Sequence, residues 1–198
     1  MSIDLTTDMF DSKRVAVVGN GVKILQRKDG AWIDEHDVIV RFNFEFPIPE
    51  RSENIGNRTD VMVCAPGLCR KMRRDGRLKH IRRNNPDTLF ISSMRKPGNI
   101  FKYHLPTRVR IECKKWGGYC PTTGTIMVHS LMTVFTPIDV TLFGFDGLKS
   151  GSLSERAFPN KVNPNFNRET NPIGNHRPKR EQGWLESIKD KLTVVEYE

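Results

Sequence analysis

The sequence predicts a single α/β domain, Rossmann-like, with a mostly parallel sheet flanked by helices. Short apolar runs rich in β-branched residues, such as RVAVV, VIVRF and VMVC, recur along the chain with helical stretches between them. Alternation of this kind argues a parallel sheet covered by helices. The 198 residues suit one domain, since a chain of this length buries roughly 70% of its unfolded surface. No internal repeat or low-complexity tract breaks the pattern.

The elements are expected in the following order. Residues 1–12 are polar and acidic and are expected to be flexible. Arg14 to Val18 is a buried strand ending at Gly19. Residues 21–31 form a short helix closed by Gly30. Val38 to Phe42 and Val61 to Cys64 are the next strands. Gly67 to Arg83 is one helix with Leu68, Met72 and Ile81 inward. Thr88 to Ile91 is a strand, followed by a short helix and a further strand over Arg108 to Cys113. Thr123 to Phe135 is a helix behind Pro121, and Asp139 to Phe145 is a strand. Ser150 to Asn175 is rich in Pro, Asn and Ser and reads as a long loop, a length that usually marks function or disorder. Pro178 opens a helix to about Lys191, and Thr193 to Glu196 is the last strand. Residues 1–198 thus make one domain.

Composition narrows the function classes. No run of about 18 apolar residues exists, so no membrane span is expected. The first residues, MSIDLTTDMFDSKR, lack the basic and apolar regions of a secretory signal. Of the four cysteines, Cys64, Cys69, Cys113 and Cys120, none forms a CxxC pair, which argues against a zinc site and favours a reducing cytoplasm. Lys and Arg exceed Asp and Glu by 32 to 23, a net charge of +9. That excess suits anionic partners such as a nucleotide, an acidic glycan, a membrane surface or nucleic acid.

Ligands of open parallel sheets bind beyond the carboxyl ends of the strands. Three clusters lie there. Gly19-Asn20-Gly21 follows the first strand, where glycines let the backbone approach a phosphate. A dinucleotide fingerprint fails, because Ile24 replaces its last glycine and Arg41-Phe42-Asn43 replaces the ribose-binding acid. Asn20 and Asn43 either point amides into one cleft or cap turns. Pro121-Thr122-Thr123-Gly124 offers hydroxyls and N–H groups at a helix start, which suits phosphate or carboxylate as well as an ordinary cap. In His176-Arg177-Pro178-Lys179-Arg180-Glu181, Pro178 fits the first helical position and Glu181 the first turn. Positive potential expected at that helix start disfavours the His176 imidazolium, and a neutral imidazole is what a general base must be. The alternative is a surface histidine in a basic turn.

The clusters occur in a longer pattern. VAVVGNGxxILxxxxGxxIDEHDVIVRFNF (Val15 to Phe44) resembles the first half of sialyl motif L, and Gly56-Asn57-Arg58-Thr59-Asp60 resembles its GxRTD tail. PTTGTIMVHSLMTVFTPIDVTLFGFD (Pro121 to Asp146) resembles motif S, and His176-x4-Glu181 has the spacing of motif VS. The chain therefore resembles the sialyltransferases of glycosyltransferase family 29, as a compact bacterial or viral-type member with a GT-A-like fold.

The resemblance implies a function and a set of site residues. Asn20, Gly21 and Asn43 would hold the CMP part of a CMP-sugar donor. Thr122, Thr123 and Gly124 would contact its nucleotide, phosphate and sugar. Gly144 and Phe145 would lie near the cytidine. His176 would be the general base and Glu181 a supporting acid. The implied reaction is inverting and needs no metal or other cofactor. It moves sialic acid, or a related ulosonic acid, from CMP to an acceptor hydroxyl. Val15 and Pro137 stand where the family's cysteine pair usually sits, which agrees with a cytoplasmic setting. Motif III is not recognisable, since Ser150 to Asn175 holds only Phe158 and Phe166 as aromatics. A transferase using a Kdo-type donor and a catalytically silent CMP-sugar or glycan-binding protein therefore stay open. Partners are the CMP-sugar and a glycan or glycolipid acceptor. The basic helix over residues 67–83 reads either as a solvated face or as a contact to an anionic membrane surface, which would make the protein peripheral to a membrane. No nucleic-acid module accompanies it.

Overall fold

The computed structural model describes residues 3–4, 7–94, 101–115, 121–145 and 178–197. Its strands are β1 (Ile3–Asp4), β2 (Arg14–Val18), β3 (Val38–Phe42), β4 (Val61–Cys64), β5 (Leu89–Ser92), β6 (Tyr103–His104), β7 (Asp139–Phe143) and β8 (Thr193–Val194). The helices are α1 (Gly30–Asp34), α2 (Ser52–Ile55), α3 (Pro66–Arg74), α4 (Arg77–Asn84), α5 (Thr107–Lys115), α6 (Thr123–Thr133) and α7 (Pro178–Ser187). The strands form one sheet in the order β1-β6-β5-β4-β3-β2-β7-β8, and every pairing is parallel.

The central strands read as near-continuous apolar runs because both faces of the sheet are covered. In β2, Ala16 and Val18 pack with Ile24, Ile33, Ile39, Ile55 and Phe143 on one face. Val15 and Val17 pack with Val109, Ile126, Met127 and Leu131 of α5 and α6 on the other. The α3–α4 pair buries Leu68, Met72 and Leu78 against Met62, Cys64 and Phe90.

This arrangement sets the place of the site. From β2 the chain steps outward through β3, β4 and β5. It then returns to lay β7 on the other side of β2, and β8 lies beyond β7. β3 lies on one side of β2 and β8 on the far side of β7, so the strand order reverses between β2 and β7. The carboxyl ends of β2 and β7 are therefore the switch point of the strand order, the place where open sheets bind ligands. The N-termini of α6 and α7 lie at that end too, because each of these helices leads toward the amino end of the next strand.

Several expected elements are corrected. Gly30 opens α1 instead of closing the preceding turn, and residues 22–26 form a 3-10 turn. A Cβ at Gly30 would stand 2.0 Å from the Ser52 carbonyl oxygen, so this glycine is required by the contact of α1 with α2. The expected single helix over Gly67 to Arg83 is broken at Gly76, whose φ of +74° is left-handed, and Leu78 points inward with Ile81 only half-buried. Arg108 to Cys113 is helical. Val109 and Cys113 are fully buried one turn apart, while Ile111 is 55% exposed. The strand at 139–145 ends at Phe143, and the last helix ends at Ser187, followed by a 3-10 turn at Lys189–Lys191. The flexible segment expected at 1–12 does not extend to Phe10, which is fully buried and packs its ring 4.8 Å from that of Phe135. The loop expected at 150–175 lies outside the described residues.

Candidate active site

At the carboxyl ends of β2 and β7 two glycine turns are held to each other. The N–H of Gly19 donates to the Phe143 carbonyl at 2.7 Å, and the N–H of Gly21 donates to the Gly144 carbonyl at 3.2 Å. Gly144 leaves β7 with φ +66°, a conformation that glycine adopts without a Cβ penalty. The fit at Gly19 is tighter still. A Cβ there would stand 2.6 Å from the Gly144 oxygen and 3.0 Å from Cδ2 of Phe145. Asn20 is half-buried between the two glycines of its turn.

Phe145 is the hub of this region. Its ring meets Phe42 at the end of β3 edge-on, 6.2 Å between centroids. Its Cε1 lies 3.2 Å from where a Cβ on Gly124 would be. The glycine of the α6 turn is therefore also a matter of space: the helix start closes onto the aromatic ring. Gly19, Phe42, Gly124, Gly144 and Phe145 come from four separate stretches of sequence and touch here.

The start of α6 is capped twice. Thr122 is its N-cap, and its hydroxyl accepts from the Thr125 N–H at 3.2 Å. Glu181, in the first turn of α7, is 8% exposed and reaches across to the same turn. Its carboxylate accepts from the Thr122 N–H at 3.2 Å, from the Thr122 hydroxyl at 2.6 Å and from the Thr125 hydroxyl. A carboxylate beside a helix N-terminus satisfies orphan N–H groups and complements the dipole. Glu181 therefore ties α7 to α6, and Thr125 joins the site as a residue that the sequence patterns do not single out. The only signal was its position three residues after Thr122, where a capping partner falls.

Asn43 ends β3 in a left-handed conformation, φ +57°, which asparagine tolerates better than most residues. Its side-chain oxygen accepts from the Ala65 N–H at 3.0 Å, and its N–H donates to the Val63 carbonyl at 3.0 Å. It thus joins the carboxyl ends of β3 and β4 at the rim. The turn-forming role expected of it is thus filled by its bond to Ala65. His176 lies outside the described residues.

Much of the motif L likeness lies at the opposite end of the sheet. Asp34 accepts from the N–H groups of Asn57 and Arg58 at 2.8 and 3.1 Å. The Arg58 guanidinium donates to the carbonyls of Asp34 and His36 and to the Asp60 carboxylate. Asp60 in turn accepts from the Ile39 N–H at 2.8 Å. His36 is buried and bonds the Trp32 carbonyl and the Thr141 hydroxyl. Arg41, 2% exposed, donates to the carbonyls of Ile55 and Arg58, and burial pulls its pKa down to about 10. These residues clasp the start of β3 to the loop before β4. Among the described residues no group of three His, Cys, Asp or Glu side chains is placed to hold a metal.

A further lock involves Tyr197 near the end of the chain's described residues. The Tyr197 hydroxyl bonds the buried Asp29 carboxylate at 3.4 Å, and the Gly144 backbone also faces it. Burial, with Asp29 nearby, holds this phenol above the usual tyrosine range.

Residues 4–103, just over half of the chain, match the model of glycosyltransferase family 29 (sialyltransferase). Among solved structures, a mammalian sialyltransferase is similar over 94% of this chain and 70% of its own, with a TM-score of 0.60 and 15% identity. The alpha-2,3-sialyltransferase from Campylobacter jejuni in apo form is similar over 96% and 78%, with a TM-score of 0.58 and 14% identity. The sialyltransferase CstII from Campylobacter jejuni, in complex with the substrate analogue CMP-3FNeuAc, is similar over 92% and 79%, with a TM-score of 0.55 and 16% identity. No curated protein matches. At these identities the structural likeness carries the fold, and the sequence match carries the family. The chain belongs to glycosyltransferase family 29, the sialyltransferases.

Proposed function

We propose that this chain transfers sialic acid, or a closely related ulosonic acid, from a CMP-activated donor to an acceptor hydroxyl, with inversion and without a metal. The observation that carries this reading is the convergence of Gly19 and Gly124 on Phe145, with Gly144 packed against Gly19, at the switch point of the sheet. There a nucleotide meets an aromatic ring, two glycine turns and a helix start. The first N–H groups of a helix have no intrahelical acceptor. Thr125 N–H is capped by Thr122 and Thr122 N–H by Glu181. In this reading the Thr123 and Gly124 N–H groups bind the donor phosphate or carboxylate. Asn20, Gly21 and Asn43 hold the CMP part from the β2 and β3 side.

His176 acts as general base. It takes the proton of the acceptor hydroxyl as that oxygen attacks C2 of the donor sugar. The bond from C2 to the phosphate oxygen breaks, and CMP leaves with the electron pair. The helix start at Thr123 stabilises the charge that develops on the leaving phosphate. Glu181 is a positioning residue, because its carboxylate is spent on Thr122 and Thr125. The acceptor is a glycan or glycolipid. A reducing compartment suits the buried thiols of Cys64, Cys69 and Cys113, and we place the protein in the cytoplasm.

The test is donor turnover with CMP-Neu5Ac beside CMP-Kdo, with and without EDTA. Release of CMP from CMP-Neu5Ac, unaffected by EDTA, is the expected result. Release only from CMP-Kdo reassigns the sugar. Binding of CMP without turnover of either donor overturns the enzymatic reading in favour of a silent binding protein. His176→Ala is expected to lose transfer while CMP binding, read by calorimetry, survives.

A further inference from the structure

The α3–α4 surface is strongly one-sided in charge. Between residues 70 and 84 stand eight Lys and Arg against a single acid, Asp75. The break at Gly76 changes what this stretch can do. One straight helix would spread such charges around its axis. Here two short helices fold against the same face of the sheet and bury Leu68, Met72 and Leu78 into one cluster. Arg70, Arg73 and Arg74 of α3 and Lys79, Arg82 and Arg83 of α4 are exposed.

Asp75 is occupied locally, paired with Arg74 at 3.6 Å and with Arg77 at 3.0 Å. Arg77 and Arg74 also hold the Asp75 carboxyl below its usual range, with the Arg77 hydrogen bond leading. Among the described residues Arg70, Arg73, Lys79, Arg82 and Arg83 have no acidic partner. Like charges so placed repel one another, and a polyanionic surface relieves that repulsion.

We propose that the outer face of α3 and α4 docks on an anionic lipid bilayer. Two features favour lipid over nucleic acid. The stretch PGLCRKMRRDGRLKHIRRN contains no Phe, Tyr or Trp, so it offers no platform on which bases stack. The surface is also the outer side of two packed helices and not a groove that tracks a strand. Basic side chains on flexible stems suit a plane of headgroups, whose attraction is additive over residues near the surface. The position of the face gives docking a consequence. α3 begins at Pro66, directly after Ala65, whose N–H is bonded to Asn43 at the rim of the candidate active site. One end of the docking surface is thus continuous with the site, and an acceptor carried in the same membrane is presented beside it. Docking itself does not depend on the proposed chemistry.

The experiment is co-sedimentation of the full chain with phosphatidylcholine vesicles, with or without about one-third phosphatidylglycerol. The expected result is binding to the anionic vesicles only, lost as salt rises from about 0.1 M to about 0.5 M. The variant Arg70→Glu/Arg73→Glu/Arg82→Glu/Arg83→Glu is expected to bind at least about a hundredfold more weakly. The pairs Arg70→Gln/Arg73→Gln and Arg82→Gln/Arg83→Gln should each lose about tenfold or more. These milder variants keep the test valid where the fourfold reversal fails to fold. Equal binding to neutral vesicles, or retained binding by both Gln pairs, overturns the proposal. So does a single-stranded RNA that displaces the vesicles at equal charge, which would make the face a nucleic-acid surface. CMP affinity of the Gln pairs, measured in parallel, is expected to be unchanged. A chain that docks but binds no CMP refutes the proposed function and leaves the docking intact.

Discussion

Replacing Glu181 by alanine tests whether α7 is held to the start of α6 by one buried carboxylate. Glu181 accepts from the Thr122 N–H and from the hydroxyls of Thr122 and Thr125. Hydrogen bonds to a charged group contribute roughly 1.5–3 kcal/mol each. The hydroxyls regain part of that by bonding to one another or to water that enters, so the expected net loss is about 3 kcal/mol, with about 0.5 kcal/mol of it from the lost first-turn acid on α7. Urea unfolding reads this directly. With a slope near 2 kcal/mol per M, the midpoint falls by about 1.5 M. Glu181→Gln retains an acceptor and should lose about half as much.

A double-mutant cycle with Thr125→Val isolates the contact from the loss of the acid itself. A coupling of about 1–2 kcal/mol is expected between residues that share a hydrogen bond. Calorimetry with CMP supplies the functional half, since a loosened Thr122–Gly124 turn presents its N–H groups less well. The expected weakening is about tenfold in Glu181→Ala. Stability within about 0.5 kcal/mol of the parent, or a coupling near zero, would refute the assignment of Glu181 as the tie between the two helices.

Four further outcomes follow from the geometry. Gly19→Ala places a methyl group 2.6 Å from the Gly144 carbonyl oxygen, so the two turns must part. A stability loss of about 2 kcal/mol and loss of CMP binding are expected, read by thermal melting and calorimetry. Tyr197 has a phenol pKa raised by burial, so the unfolded chain releases this proton first, from about pH 10. Stability is then full below that pH and declines as pH rises above it; the decline, followed by chemical unfolding, should flatten in Tyr197→Phe. Burial lifts the Cys113 thiol to about 12, so peptide mapping after iodoacetamide at pH 8 should find Cys113 alkylated only when urea is present. Asp34→Asn weakens the clasp on Asn57 and Arg58 and should lower stability by about 1–2 kcal/mol with CMP affinity unchanged.

The sequence made the sheet legible where the physics is local. β2, β3 and β4 are buried on both faces, so apart from Arg14 and Arg41 they appear as apolar runs that end where glycine, asparagine or alanine begins a turn. It failed where period and charge mislead. In Arg108 to Cys113 the order V-R-I-E-C imitates strand alternation, yet Val109 and Cys113 are buried one helical turn apart and the intervening Ile111 faces solvent. Across 67–83 basic residues stand on both sides of the break, and only Asp75-Gly76 marks the turn that divides the helix. The tie between Glu181 and Thr125 spans 56 positions. No local pattern encodes a contact that depends on how α6 and α7 pack.

The likeness to motif L shows why a resemblance and a site are different things. Within Val15 to Phe44, Gly19, Asn20, Gly21 and Asn43 follow the carboxyl ends of β2 and β3. Asp34, His36 and Asp37 belong to the amino end of β3. There Asp37 accepts from the Arg14 N–H at 2.8 Å, and that bond lowers its pKa. The same thirty residues therefore serve two ends of one sheet. The charged residues, which attract the eye in sequence, hold the strand in register, while the glycines and asparagines make the turns at the candidate site. Asp34→Asn and Gly19→Ala separate these duties experimentally. The first should change unfolding and spare CMP, and the second should change both. An Asp34→Asn protein that stays folded yet loses CMP would place the acids of the motif in the site after all.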